Sequence, residues 1–268
     1  MDIQGKRVLI TGGPSGIGFA TAAEMMRRGA KVFIVGRRAK LVAFAIELLR
    51  ADGYQIDGVD ADVSTSEGRA RILASARAAM GGIDILVNNA GGVSAGRLED
   101  TPKSHIEKMV DVNLLAPILL VRAAMQDLRD AGESMVVNVS SSIALVGVPF
   151  YSTYAAVKAG ISHFGEALRR ELKDEGVHVM TVYPGATDTP MMMSSRVGPA
   201  LGFERESAEA VAQAIAEGIE TDSLQIIRGG KIRDEMIVQN RTNPRALDDK
   251  FASLKPQLAE AVKDHFAL

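Results

Sequence analysis

The chain has 268 residues, of which 47% are hydrophobic and 24% charged, and 31 Lys and Arg against 33 Asp and Glu give a formal net charge of −2. This composition is that of an ordinary globular protein and excludes a disordered chain. The near-neutral charge argues against nucleic acid as the main partner, because phosphate binding needs a basic surface. The absence of cysteine excludes disulfides, thiolate metal sites and cysteine nucleophiles, so we expect a cytoplasmic enzyme or binding domain.

Short apolar runs alternate with longer amphipathic segments along most of the chain. The runs are rich in Val and Ile without strict alternation, which is typical of strands buried on both faces. The predicted strands are Val8–Ile10, Val32–Val35, Ile56–Val59, Ile83–Val87, Met135–Val139, Val177–Val182 and Leu224–Ile227. The predicted helices are Ile17–Arg28, Lys40–Arg50, Glu67–Met80, Lys103–Arg129, Thr153–Glu175 and Ala208–Ile219. The alternation predicts an α/β fold, a Rossmann-like doubly wound parallel sheet in a single domain.

Two helix starts carry local signals. Ser64 and Glu67 have the spacing of a capping box. Thr101 before Pro102 places a cap residue ahead of a proline at the first helical position. No segment is expected to cross a membrane, because the longest charge-free stretch, 134–157, carries too many polar side chains for lipid.

Two regions lie outside the strand–helix alternation. Residues 186–205 form a long connection, which we expect to be a substrate lid within a domain that spans 1–230. Residues 231–268 are expected to be an extension packed on the same domain or on a neighbouring subunit. A last helix is predicted at Pro256–His265.

A glycine-rich turn follows the first predicted strand and leads directly into a helix, with the spacing G-x-x-x-G-x-G. Glycine allows backbone to approach a phosphate closely, and the next helix offers free N–H groups. The spacing differs from the familiar G-x-G-x-x-G fingerprint, and taken alone it also fits a simple tight turn. The candidate phosphate-binding residues are Gly12, Pro14, Ser15, Gly16, Ile17 and Gly18.

Tyr154 and Lys158 lie four residues apart on a predicted helix and therefore share one face. A free phenol has a pKa of about 10, and a nearby ammonium group is expected to lower it towards the range in which proton transfer is efficient. Taken alone, the pair also fits a buried tyrosine beside a lysine with no catalytic role.

Several motifs occur in one order along roughly residues 5–230, and together they resemble the single-domain branch of the short-chain dehydrogenase/reductase family. The resemblance implies an oxidoreductase that interconverts a ketone or aldehyde and an alcohol. The motifs after the glycine turn are Asp62-Val63, Asn88-Asn89-Ala90-Gly91, Asn113, Ser141, Tyr154–Lys158 and Pro184–Thr189.

The resemblance also implies a role for each matching residue. Tyr154 would exchange a proton with the substrate oxygen, and Ser141 would hydrogen-bond that oxygen. Lys158 would lower the pKa of Tyr154 and bind the nicotinamide ribose, while Asn113 would hold a water. The remaining implied cofactor contacts are Asp62, Val63, Asn89, Ala90, Gly91, Pro184, Gly185, Thr187 and Thr189.

The cofactor is expected to be NADP, with NAD as the alternative. An acid that would bond the ribose 2′-hydroxyl is missing at Gly36, and Arg37 and Arg38 follow instead. A guanidinium suits a 2′-phosphate, although both arginines also fit a solvated helix start. No metal site is expected, because the histidines lack ligand spacing and read as structural or surface residues; they are His105, His163, His178 and His265.

The substrate is expected to be a small hydrophobic carbonyl compound, because thioethers form an adaptable apolar wall. The expected pocket residues are Val93, Ser94, Ile143 to Phe150, Tyr183, Met191, Met192 and Met193. The resemblance implies a homodimer or homotetramer. Two other functions stay open: a sugar-nucleotide epimerase or dehydratase, and a non-catalytic NADP-binding sensor.

Overall fold

A computed structural model describes residues 1–268 as one α/β unit. The strands are β1 Arg7–Thr11, β2 Lys31–Gly36, β3 Ile56–Asp60, β4 Ile85–Asn88, β5 Val93–Ser94, β6 Ser134–Val139, β7 Val177–Tyr183, β8 Ala186–Asp188, β9 Arg205–Ser207, β10 Gln225–Ile227 and β11 Phe266–Ala267. The helices are α1 Gly16–Arg27, α2 Ala39–Ala51, α3 Ser66–Met80, α4 Lys103–Val110, α5 Ala116–Asp130, α6 Ser152–Glu171, α7 Ala208–Glu220, α8 Gly230–Thr242 and α9 Pro244–Val262. A π-helical segment, Asp111–Leu115, joins α4 to α5.

The central sheet has seven parallel strands in the order β10-β7-β6-β4-β1-β2-β3, which confirms the predicted doubly wound fold. Alternate residues of a strand enter opposite apolar clusters: Val8 and Ile10 pack on one face, and Leu9 packs on the other. The strand order reverses between β1 and β4, and ligands of such sheets bind at the carboxyl ends of the strands on either side of that point.

Two predicted helix caps were wrong. The cap of α3 is Thr65, whose hydroxyl accepts from the Gly68 amide at 3.0 Å, while the Ser64 hydroxyl donates to Asp62 at 2.7 Å. Helix α4 begins after Pro102, and the Thr101 hydroxyl donates to the Arg97 carbonyl at 2.8 Å. In both places the expected hydroxyl donates to an oxygen that precedes the helix and accepts from no helix amide.

Helix α6 ends at Glu171, four residues before the predicted end, because the chain turns through Asp174 with a φ of 69°. The last helix was also wrongly placed: α9 contains Pro256 in its interior and begins after Asn243, whose side chain accepts from the Ala246 amide at 3.3 Å. The apolar spacing continues to the N-terminal side of Pro256 as far as Leu247, so burial keeps the helix intact through the proline.

Residues 231–268 pack over the carboxyl end of the sheet in the same chain. An apolar cluster joins Leu247 and Leu258 of α9 to Val93 and Ile143. Strand β11 pairs antiparallel with β5. The extension therefore covers the end of the sheet at which the strand order places ligands.

The helical run Lys103–Asp130 is 28 residues long with a mean hydropathy of 1.4 in its most apolar window, enough by length and composition to span a bilayer. The sequence predicts a helix here, at Lys103–Arg129, but no membrane span. Its inner face is buried in the sheet, with Leu120, Ala124 and Leu128 almost completely covered. A core helix of this kind has the same composition, so hydropathy alone does not indicate a span.

Candidate active site

The glycine turn after β1 is held against the loop after β4. The Asn89 side-chain amide donates to the carbonyls of Thr11 and Gly12 at 3.0 and 3.3 Å. The contact leaves no room for side chains: a Cβ on Gly18 would lie 2.3 Å from the Gly12 carbonyl oxygen. Gly16 has a φ of 53°, in the left-handed region that favours glycine. These glycines are required by close packing, and they leave bare backbone at the start of α1.

Asn113 lies in the π-helical segment and is buried below the loop that follows β4. Its side-chain amide donates to the carbonyls of Gly92 and Met109, both at 2.9 Å, and its Oδ1 accepts from the Gly92 amide at 3.3 Å. A Cβ on Gly91 would lie 2.7 Å from Asn113 Oδ1 and 3.4 Å from Lys158 Nζ. Asn113 and Lys158 therefore flank Gly91, and the side chain of Asn113 fixes the path of this loop.

Ser141, Tyr154 and Lys158 line one cavity of 230 Å³ at the carboxyl end of β6. Lys158 is buried and its ammonium group donates to the Val139 carbonyl at 3.0 Å. It lies 5.7 Å from the centre of the Tyr154 ring. The amide of Ile143 donates to Ser141 Oγ at 3.3 Å, which orients that hydroxyl. Three of the four predicted catalytic side chains thus meet at one surface, and the fourth, Asn113, lies outside the cavity.

Burial dominates the ionisation of this pair. It raises the pKa of the Tyr154 phenol above its ordinary value, with a smaller contribution from Tyr151, while the Ser141 hydroxyl acts in the opposite direction. Burial lowers the pKa of Lys158 to about 8. The net shift of the Tyr154 pKa is therefore upward and not the expected lowering, because desolvation of the phenolate dominates.

A second cavity of 380 Å³ lies on the β2 side of the glycine turn. Arg37 and Arg38 line it as predicted, Lys108 of α4 adds a third basic side chain, and no acid lines it. A Cβ on Gly36 would lie 2.7 Å from Pro14 Cγ. Position 36 therefore has no room for the acidic side chain that would bond a ribose 2′-hydroxyl.

The two cavities form one groove, because they share lining residues at the glycine turn and the loop after β4; the shared residues are Gly12, Ser15, Ala90, Gly91, Pro190 and Met191. One end of the groove is basic and the other carries the tyrosine and the lysine. Its centre is glycine backbone that a Cβ would fill. This arrangement fits an extended dinucleotide whose pyrophosphate crosses the start of α1.

The structure brings most of the predicted cofactor residues to this groove. Two lie apart from it: Gly18 is packed beneath the turn, and Asp62 turns its carboxylate to Ser64, accepting from its amide at 2.9 Å. The pKa of Asp62 is lowered by hydrogen bonds from Ser64 and by the charges of Arg37 and Lys108, against the effect of burial. Asn113, the residue expected to hold a water, also lies outside the groove, behind Gly91. The other predicted cofactor residues that line the groove are Pro14, Gly16, Ile17, Val63, Asn89, Pro184, Gly185, Thr187 and Thr189.

The substrate end of the cavity is smaller than the expected pocket. Of the expected run Ile143 to Phe150, only Ile143 lines the cavity. Met193 is 84% exposed, so only Met191 and Met192 of the three methionines line the cavity. Ser94 turns away and bonds His105 at 3.2 Å. Tyr183 faces a separate hollow.

Several side chains line this cavity that were not expected there from the sequence, among them Tyr151, Arg233 and His265. The expectation that every histidine is a structural or surface residue therefore misses the position of His265 at the substrate end. Arg233 and His265 come from the C-terminal extension. Only the packing of α8, α9 and β11 across the sheet brings them near Tyr154, and no local motif marks them.

Comparison with known proteins gives consistent matches. The family model described as short chain dehydrogenase matches residues 6–199. A protein of Thermotoga maritima named as an uncharacterized oxidoreductase is 33% identical over 249 residues, which cover 86% of this chain and 98% of that protein. A short chain dehydrogenase from Burkholderia cenocepacia J2315, crystallised in complex with NADP, superposes with a TM-score of 0.77 at 30% identity over 85% of this chain and 97% of that chain. A variant of the actinorhodin polyketide ketoreductase with NADPH gives a TM-score of 0.77 at 25% identity, over 84% and 95%.

Proposed function

Because the chain belongs to the short-chain dehydrogenase family, we propose that it is an NADP(H)-dependent oxidoreductase that interconverts a ketone or aldehyde and an alcohol. The observation that carries this proposal is the meeting of Ser141, Tyr154 and Lys158 in the cavity that continues to the glycine turn. A proton donor, a hydroxyl and an ammonium group there face the end of a groove that fits a dinucleotide.

Tyr154 is the proton donor for reduction of the carbonyl. Its raised pKa keeps the phenol protonated at neutral pH, so the group holds a proton that it can deliver to the substrate oxygen. When bound, the nicotinamide supplies or accepts the hydride. The Ser141 hydroxyl donates to the same oxygen and stabilises its developing charge, and the Lys158 ammonium stabilises the phenolate that remains.

Lys158 has a second role in positioning the cofactor. Its ammonium lies beside Gly91 and donates to the Val139 carbonyl. Two of its three N–H donors stay free to bind the nicotinamide ribose hydroxyls. Asn113 acts through the backbone of Gly92 and keeps this loop in place.

The preference for NADP rests on the basic end of the groove. Arg37, Arg38 and Lys108 line it without an acid, and Gly36 packs against Pro14 where an acid would have to stand. A guanidinium binds a phosphate through charge-assisted hydrogen bonds. The relatives crystallised with NADP and NADPH support the same choice.

The test is NADPH oxidation on a panel of ketones by the wild-type protein and by Tyr154→Phe. Loss of general acid help lowers rates by about 10²–10⁴, so the variant is expected to lose at least a hundredfold in turnover while NADPH affinity stays within a few-fold. Tyr183→Phe, a buried tyrosine outside the cavity, is the matched control. Tight NADPH binding without turnover of any carbonyl would instead favour the non-catalytic sensor.

We infer also that the protein assembles as a homodimer or homotetramer. Support comes from Val110 and Leu115, which expose apolar side chains on the long helical run Lys103–Asp130. Light scattering after size exclusion measures the state directly. A mass of 28.5 kDa at micromolar concentration would contradict assembly.

A further inference from the structure

Arg233, in the first turn of α8, is a buried cation without a protein partner. The residue is 3% exposed, and its Nη1 has no hydrogen-bond acceptor. No carboxylate lies within ion-pair distance, and its guanidinium carbon lies 5.1 Å from the centre of the Phe203 ring. The next arginine before it along the chain differs: Arg228 bonds Glu206 at 2.7 Å. The charge of Arg233 is therefore uncompensated within the chain.

An uncompensated buried charge opposes folding, because desolvation is not balanced by hydrogen bonds. Burial lowers the pKa of Arg233, but a guanidinium stays protonated in proteins. A purely structural arginine would be expected to find a carboxylate or a set of carbonyls. A guanidinium left without either is suited to bind a ligand that brings the missing acceptors.

The backbone around Arg233 directs it to the active-site cavity. Gly229 and Gly230 have φ values of 120° and 70°. A Cβ on Gly185 would lie 2.7 Å from the Gly229 Cα, so the start of α8 packs tightly on the turn after β7. That contact sets Arg233 into the wall of the cavity that Tyr154 also lines.

The cavity wall contains basic side chains but no acidic ones. Lys158 and Arg233 are the two Lys or Arg side chains that line it, and no Asp or Glu side chain does. Lys158 lies beside Gly91, whereas the guanidinium of Arg233 lies against the Phe203 ring. The apolar side chains of the same cavity include Val93, Ile143, Met191, Met192, Val197 and Phe203.

We propose that the substrate is an oxo acid or hydroxy acid whose carboxylate binds Arg233 while its carbonyl or hydroxyl carbon lies at Tyr154. This inference rests on the proposed carbonyl reductase function. The planar fork of a guanidinium pairs with a carboxylate through two parallel hydrogen bonds. A single guanidinium beside apolar side chains such as Phe203 suits one carboxylate and a short hydrocarbon segment better than a doubly charged phosphate.

The test uses a homologous series of methyl-ketone carboxylates, each compared with its methyl ester, as substrates of the NADPH-saturated enzyme. We expect the wild type to prefer the acid at one chain length. Hydrogen bonds to charged groups are worth roughly 10- to 150-fold in an equilibrium constant, so Arg233→Met should raise KM for that acid by this factor and leave the ester almost unchanged. Arg233→Lys should restore part of the preference. Lys231→Met removes an exposed charge from the same helix and should change nothing.

If the ratio of KM for the acid to KM for its ester is the same in the wild type and in Arg233→Met, the inference is overturned and the proposed function still stands. A preference for phosphorylated ketones over the acids would also overturn it. If the wild type reduces none of these ketones, the proposed function fails for them, and calorimetric titration of the NADPH-loaded protein with the same acids then decides. Binding that is lost in Arg233→Met supports the inference, and equal or absent binding overturns it.

Thermal melting separates a ligand-binding role from a structural one. Methionine keeps an apolar contact with Phe203 and removes the unpaired charge, so Arg233→Met is expected to melt at or above the wild-type temperature. A clear drop in melting temperature would assign Arg233 to the fold and overturn the inference.

Discussion

The hydroxyl of Tyr151 lies 2.7 Å from Nδ1 of His265, a contact that joins positions 114 residues apart. Tyr151 caps the start of α6, the helix that carries Tyr154. The other ring nitrogen of His265 lies 3.2 Å from the Met191 carbonyl, which can only accept, so Nε2 carries the hydrogen and Nδ1 accepts from the phenol. One neutral histidine therefore ties the end of the chain to α6 and to the segment over the substrate end of the cavity.

The first prediction concerns the pH dependence of His265→Gln. Burial lowers the pKa of His265 below its ordinary 6.5, with Arg205 acting in the same direction and the Met191 carbonyl against both. The unfolded chain therefore takes up a proton that the folded chain resists, and the free energy of unfolding falls as the pH drops through 6.5. Urea unfolding between about pH 5 and 8 should show this loss in the wild type and a flatter profile in His265→Gln.

His163→Gln is the control, because His163 lies on α6 with its side chain 85% exposed. It should keep the wild-type profile. If the free energy of unfolding depends on pH in the same way in the wild type and in His265→Gln, His265 has the same pKa in the folded and the unfolded chain. That result would contradict the neutral tautomer assigned above.

A second prediction concerns Gly18→Ala. The added Cβ would lie 2.3 Å from the Gly12 carbonyl oxygen and 2.5 Å from Asn89 Nδ2, so the glycine turn has to move. Overpacking of this kind costs about 1–3 kcal/mol, and NADPH affinity should fall because the displaced backbone belongs to its site. Gly147→Ala, where nothing lies within 4 Å of the added atom, is the control. Calorimetric titration with NADPH checks both, and an unchanged Kd for Gly18→Ala would separate the turn from the cofactor.

The fold was predictable from the sequence because its signals are local. The strands of the central sheet are mostly short apolar runs, and the glycine turn and the pair Tyr154 and Lys158 are short-range patterns. Helix starts were less predictable: Ser64 and Thr65 both offer a hydroxyl, and which one caps α3 depends on the position of Asp62. Which of the two hydroxyls accepts from the helix amide is therefore decided by tertiary geometry and not by local spacing.

The substrate end of the site was not predictable. Arg233 and His265 reach the cavity only because α8, α9 and β11 fold back over the carboxyl end of the sheet. The sequence near each has no spacing that distinguishes a cavity residue from a surface one. A charge with no partner, as at Arg233, is visible only when the surrounding side chains are in place.

A third prediction concerns Lys158→Met and its stability without cofactor. Burial lowers the pKa of Lys158 from 10.5 to about 8, so between these values the unfolded chain binds the proton and the folded chain does not. Wild-type stability therefore rises with pH across this window. Below pH 8 the buried ammonium costs about 3 kcal/mol, and the variant lacks that cost. Urea unfolding should show the stability gap in favour of Lys158→Met shrinking as pH approaches 10.

Lys173→Met, which removes an exposed lysine after α6, is the control. Its free energy of unfolding should differ from that of the wild type by the same amount at every pH. A constant difference for Lys158→Met as well would mean that Lys158 keeps an ordinary pKa in the fold. Turnover should be lost in Lys158→Met at every pH, since the variant lacks both the ammonium beside Tyr154 and the donor to the ribose.

The last prediction concerns cofactor choice and Arg37→Asp. An acid at position 36 would collide with Pro14, whereas Arg37 lines the basic end of the groove and is exposed, so a shorter carboxylate fits at position 37. The change removes a charge-assisted hydrogen bond of about 1.5–3 kcal/mol and adds repulsion to a 2′-phosphate. NADPH affinity should then fall by about one to two orders of magnitude or more, while NADH is used as well as before or better.

The wild-type preference for NADPH should also shrink as salt rises, because an exposed contact is screened. Kinetics with both cofactors at low and high salt measure the ratio, with Arg122→Asp, an exposed arginine outside the groove, as the control. An unchanged ratio in Arg37→Asp, or a wild type that prefers NADH, would leave Arg37 as a solvated residue before α2 and remove the basis for NADP.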